Sequence, residues 1–100
     1  MAGGHVAVLA MEIQIPASAS LKDKRAVVKH LLETARQRFR ISAAEVGGLD
    51  LWQRSSLAFA IVGPSPEQVS EVLDRVERFV WSHPELLVLE TSRRWLDVGE

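Results

Sequence analysis

The chain contains no cysteine, and that absence removes several chemistries at once. Disulfide staples, thiolate catalysis and Cys-based zinc or iron–sulfur sites are all excluded. A reducing, cytoplasmic setting is the expectation that follows. Net charge is scarce too: 12 basic and 13 acidic residues leave −1 at pH 7. Such a protein is no polycation that coats nucleic acid indiscriminately. No apolar run is long enough to span a bilayer. The first, in "MAGGHVAVLAMEIQI", is broken by Glu12 and Gln14 and has no basic segment before it, so a strand is expected there and neither a membrane span nor a signal peptide. Low-complexity tracts and linkers are missing as well. One hundred residues, 47% apolar and 25% charged, make a single globular domain over residues 1–100 with one modest core.

Motifs for common chemistries are equally sparse. His5, His30 and His83 have no ligand spacing, so no metal site is expected. "GPSP" lacks the G-x-x-x-x-G-K of a phosphate loop, and "GGLDLW" lacks nucleotide-binding glycine spacing. Ser55 and Ser56 have no evident histidine partner. Glu12 and Glu45 would fall on neighbouring strands, but nothing in the sequence builds a pocket around them. No catalytic residue and no cofactor is therefore assigned, and a non-enzymatic role is expected.

What is present is a clear alternation of strands and helices. His5 to Ile15 alternates and is rich in Val, Leu and Ile, which predicts a strand that Pro16 ends. Ser20 and Asp23 form an S-x-x-D capping box at the head of a helix running to about Arg40. Val28, Leu31, Leu32, Ala35 and Phe39 mark its buried stripe. "ISAAEVGG" predicts a short second strand, "GGLDLW" a turn, and Arg54 to Gly63 a third strand. Ser65, Pro66 and Gln68 open a second helix that runs to about Ser82. Leu86 to Asp97 is the fourth strand.

The order β-α-β-β-α-β with right-handed crossovers predicts an α+β, ferredoxin-like sandwich. Four antiparallel strands would lie in the order 4-1-3-2, with both helices on one face. This plan brings "SLKDKR", "DLWQR" and "SHPE" to one end. It sends "FRIS", "GPSPEQ" and both termini to the other.

Charge is unevenly distributed. Ser20 to Arg40 holds seven basic residues and two acids, a balance of +5, leaving −6 for the rest of a chain that totals −1. Three of those bases, Lys22, Lys24 and Arg25, stand where a helix start already carries partial positive charge. Each such cation costs a few tenths to about 1 kcal/mol in a bare helix. A docked anion would reverse the sign, so Lys22, Lys24, Arg25 and Lys29 are candidate contacts for a phosphate of RNA or of a small phosphorylated ligand. Arg54, Gln53 and Trp52 would approach from the hairpin with a guanidinium fork, a polar contact and a stacking plane. The competing account leaves the cations solvated, pairs Arg54 with Asp50 or Glu45, and packs Trp52 on the core's rim. Lys22, Arg25, Lys29, Arg36 and Arg40 also form one stripe along the helix's shoulder, with Glu33 placed to neutralise part of it.

In the first strand, Leu9, Met11, Ile13 and Ile15 should face the helices, joined by Leu57, Phe59 and Ile61 of the third. The open sheet face then shows Val8, Ala10, Ala58 and Ala60. These carry no aromatics for base stacking, so the binding mode of an RNA-recognition motif is not expected. A flat apolar face suits a partner or a second copy of the chain, unless Arg93 and Trp95 cover it from the rim.

"SLKDKRAVVKHLLETARQRFRISAAEV" followed by "DLWQRSSLAFAIV" resembles the YlxP-like family of small bacterial domains of unassigned function. The similarity extends over nearly the whole chain. Family genes tend to lie beside those of translation and ribosome-maturation factors, so the resemblance implies an RNA- or ribosome-related role and no catalytic residue. It places Ser20 to Arg25 and Asp50 to Arg54 in the matching segments. Gly47-Gly48 departs from the more polar residues expected before "LDLWQR". Acylphosphatases share the fold, but their glycine-flanked loop with its arginine is absent, so that activity is not expected.

Overall fold

Alternating side chains commit the longest segments to strands, and the structure shows where the alternation leads. It is a computed structural model that describes residues 3–99. Met1, Ala2 and Glu100 of the expected domain lie outside the described residues. The elements are β1 (Gly4–Gln14), α1 (Leu21–Phe39), β2 (Ser42–Gly47), β3 (Arg54–Gly63), α2 (Pro66–Trp81) and β4 (Leu87–Val98). The sheet order is β2-β3-β1-β4, antiparallel throughout, as the β-α-β-β-α-β plan requires.

Both helices begin on serine caps. Ser20 Oγ accepts from Asp23 N at 3.0 Å, and Ser65 Oγ accepts from Gln68 N at 3.2 Å. The Asp23 carboxylate reaches back to Ala19 N at 3.2 Å, one residue before the cap. This satisfies an N–H donor just outside the helix. Helix α1 ends on Arg40, whose φ of 55° turns the chain left-handed into β2.

The core lies between the sheet and the helices. Ala7, Leu9, Met11, Ile13, Leu57 and Phe59 contribute from the sheet, each fully buried. Val28, Leu31, Ala35, Val69, Leu73, Val76 and Val80 meet them from the helices. Period-2 and period-3.6 patterns thus point into one apolar layer.

The expected two-ended symmetry does not hold, because the strands differ in length. β2 pairs only from Ser42 to Gly47, whereas β1 and β3 pair on to His5 and Gly63. Helix α1 therefore stops part-way down the sheet, where Arg36 donates to Ala43 O (Nε 3.1 Å, Nη2 2.6 Å). Helix α2 starts beside Gly63, where a Cβ would meet Val69 at 2.9 Å. The two helices are offset, and their C-terminal turns meet: the rings of Phe39 and Phe79 pack edge to face at 5.6 Å. "FRIS" thus lies at mid-sheet and not at the far end. The same offset draws the molecule out to 52 × 21 × 21 Å.

Candidate functional site

The head of α1 is where the sequence concentrates its cations, and the fold separates them into two kinds. Lys24 is fully buried. Its Nζ lies 2.5 Å from Glu45 Oε2 on β2 and donates to Gly48 O at 2.7 Å. Ser55 Oγ donates to the same Glu45 oxygen at 2.6 Å. Lys24 is thus no contact for an external anion: the anion that answers it is internal. The helical pattern contained this signal, since Lys24 precedes Val28, Leu31 and Ala35 on the same stripe. Lys22, Arg25 and Lys29 are exposed and, among the described residues, form no ion pair.

Gln53 is also used internally. Its side-chain amide donates to Pro16 O at 3.2 Å and Ser18 O at 3.1 Å. Ile15 N donates to Gln53 O at 2.8 Å. These bonds clip the β2–β3 hairpin onto the β1–α1 loop, so the two expected segments do come together. The turn between them needs Gly48, whose φ is +70°, and Leu51 N closes it onto Gly48 O at 3.0 Å. Trp52, at this tip, is 57% exposed and so does not pack on the core's rim. Arg54 is exposed at the start of β3, opposite Gln14. Glu45, one of its two expected partners, is held by Lys24.

The two flanks of α1 differ. On the β2 side a groove of about 300 Å³ is lined by Arg25, Val28, Lys29, Leu32, Arg36 and Glu45. Its carboxylate already belongs to Lys24, and among the described residues Arg25, Lys29 and Arg36 enter no ion pair. On the other side, Ala17, Ser18, Asp23 and Glu85 line a second hollow, which brings the 82–85 loop to the helix head as expected but makes that flank acidic.

The open sheet face carries Val8, Ala10, Ala58 and Ala60, each half-buried, with Ala44 and Ser42 beyond. Below them Val6 pairs with Val62 and Leu96, which are 64% and 65% exposed. Arg93 and Trp95 do not cover this face. Both alternate to the helix side of β4, where Arg93 Nη2 bonds Asp74 at 2.8 Å and Glu77 at 3.2 Å. Glu12 and Glu45 do not converge either. Glu12 accepts from Ser56 Oγ at 2.8 Å on the open face, and Glu45 points toward α1. Among the described residues no group of three histidine or acidic side chains could hold a metal ion, and no helix is long and apolar enough to cross a membrane.

A four-stranded antiparallel sheet backed by two helices, with a basic groove along one helix, defines a small α+β domain of the ferredoxin-like plan. The chain belongs to the family described as Protein of unknown function (DUF503), which its residues 6–93 match. It is 40% identical over 78 residues to a Bacillus subtilis (strain 168) protein named Uncharacterized protein YlxP, covering 78% of this chain and 85% of that one. The resemblance read from "SLKDKR" and "DLWQR" is thereby established. Among solved structures the chain is similar to the de novo designed protein Foldit4, with a TM-score of 0.52 at 11% identity, over 97% of this chain and 98% of that one. That likeness concerns the fold alone.

Proposed function

We propose that the domain binds RNA, free or within a ribosomal particle, through the groove flank of α1 and the tip of the β2–β3 hairpin. One observation supports this above the rest: Arg25 and Lys29 line a groove and, among the described residues, enter no ion pair, while the hairpin tip held to the same helix head by Lys24 leaves Trp52 in solvent. Lys22, Arg25, Lys29 and Arg54 supply phosphate contacts, and Trp52 supplies a stacking plane. Lys24 and Gln53 hold the scaffold under them. The genomic neighbourhood that the family resemblance implies, beside genes of translation factors, points the same way. With three or four cations in play, affinity is modest and falls with salt, with a slope of about −0.7 per contacted phosphate on single strands. Gel-shift titration with single-stranded RNA across a salt series tests this. Changing Lys22, Arg25 and Lys29 together to Glu should abolish binding, and Trp52→Ala should weaken it at every salt concentration. Equal binding by the triple variant would sink the proposal.

The open sheet supports a second reading, association with a second copy of this chain. Its occupant is argued from charge as well as from apolar surface. Arg94 and Glu90 lie on the open side of β4, opposite Val8 and Glu12, with Ser92 between them opposite Ala10. A twofold axis across the strands at Ser92 sets Arg94 of one copy over Glu90 of the other and buries Ala10 and Ala58 between them. Sedimentation velocity should show a dimer that Ala58→Glu dissolves without loss of fold. A monomer at tens of micromolar would remove this reading.

A further inference from the structure

We propose a second, separate anion site: the cleft between the C-terminal turns of α1 and α2 binds a small phosphate-dense ligand, such as the polyphosphate tail of a nucleotide. The cleft holds about 330 Å³ and is lined by Arg38, Phe39, Arg75, Arg78, Phe79 and Ser82. It exists because the helices are offset, so that two basic C-terminal turns lie side by side. Three guanidinium groups line it and, among the described residues, no carboxylate does.

Arg78 lacks the partner that its own helix would ordinarily supply. Asp74 precedes Arg78 by one helical turn, the spacing of a stabilising pair. Arg93 of β4 takes Asp74 instead, at 2.8 Å, and takes Glu77 at 3.2 Å. Arg38 is fixed over carbon: its guanidinium carbon lies 5.5 Å from the Phe39 ring centre and 5.6 Å from that of Phe79. The Phe79 ring is itself held against His83, 4.8 Å between centres. Among the described residues, none of Arg38, Arg75 and Arg78 enters an ion pair. The helix dipoles favour single cations at these ends, but they give no reason for Arg75, a turn earlier, to face the same hollow.

Guanidinium forks match phosphate oxygens in pairs, which favours phosphate over a lone carboxylate. A cleft of this volume, at the small end of ligand sites, suits two or three linked phosphates. The site is independent of the RNA-binding groove, because Arg38 projects about half a turn round α1 from Lys29.

Isothermal titration with sodium tripolyphosphate and, separately, ATP tests the assignment. One saturable site is expected, and Arg75→Gln with Arg78→Gln should weaken it about tenfold or more, as expected for lost charge-assisted bonds. Arg78→Lys, which keeps the charge but not the fork, should fall between. Arg25→Glu with Lys29→Glu should leave the titration unchanged, which separates this site from the groove. Equal affinity for the two probes would assign recognition to the phosphates alone, and tighter ATP would add the nucleoside. Circular dichroism and melting temperature confirm that each variant is folded. No saturable binding at millimolar tripolyphosphate, or affinity unchanged in the Arg75, Arg78 double variant, would overturn the proposal. Loss through the Arg25, Lys29 variant would do so too.

Discussion

Lys24 on the first helix and Glu45 on the second strand form a buried ion pair, Nζ to Oε2 at 2.5 Å. Two carbonyls near Lys24, Gly48 O at 2.7 Å and Leu49 O at 3.4 Å, and the Ser55 hydroxyl on Glu45 complete a closed polar network. A cation near a helix start is unfavourable when its charge stays beside the helix end. Here the side chain carries the charge across to the sheet, where a carboxylate waits. The pair fastens α1 to β2 and fixes the backbone of the turn that displays Trp52.

Breaking this pair on one side should cost about 3–5 kcal/mol, because the remaining charge is left buried and unanswered. Lys24→Met should lower the urea midpoint accordingly with little change in m-value. Combining it with Glu45→Leu and Ser55→Ala, which removes every side chain of the network, should recover much of the loss. If the single and triple variants unfold alike, the network has no special role.

Gly48→Ala should destabilise the domain by about 1–2 kcal/mol, the cost of left-handed backbone for a residue with a Cβ. That Cβ would also stand 3.1 Å from Arg54 O. Thermal unfolding would record the change as a lower Tm. A comparable substitution at Gly99, where a Cβ meets nothing within 4 Å, should leave Tm where it is.

Gln53→Ala removes two hydrogen bonds that join the hairpin to the β1–α1 loop. About 1 kcal/mol of local stability should go with them. Amide exchange should quicken for residues 49–53 and stay unchanged in the middle of β1. RNA binding in the proposed mode should weaken as well, since Trp52 and Arg54 flank the clip.

Arg36→Met deletes both donors to Ala43 O, at 3.1 and 2.6 Å. A loss of about 1.5–3 kcal/mol is expected for bonds from a charged group. Arg36→Lys should retain part of it, because one ammonium cannot reproduce the forked geometry. Comparing the two variants by urea unfolding separates lost charge from lost shape.

The elements and their order were legible because each depends on local pattern. Val, Leu and Ile alternate along β1, serine caps open both helices, and "GPSP" punctuates between β3 and α2. The apolar layers followed from the same periods. The polar side chains of the site are less legible. Counted as a base near a helix start, Lys24 looked available, yet its place on the Val28–Leu31–Ala35 stripe already put it in the core. Gln53 offered no local signal, since its acceptors lie on another loop. The arginine cleft has no sequence signal either, because Arg38 and Arg75 become neighbours only through the helix offset.

Sequence by itself determined the secondary structure and the sides that β1 and β3 bury, since caps and hydrophobic periods act within a few residues of chain, and the order of those elements with right-handed crossovers then gave the sheet order. Tertiary structure alone decided which charges are spent and which remain. That outcome depends on strand length and helix offset: a short β2 stops α1 part-way down the sheet, brings Glu45 under Lys24, and sets Arg38 beside Arg75. An ionic side chain is satisfied or free according to what stands within a few ångströms of it, and for these residues the nearest groups come from distant parts of the chain.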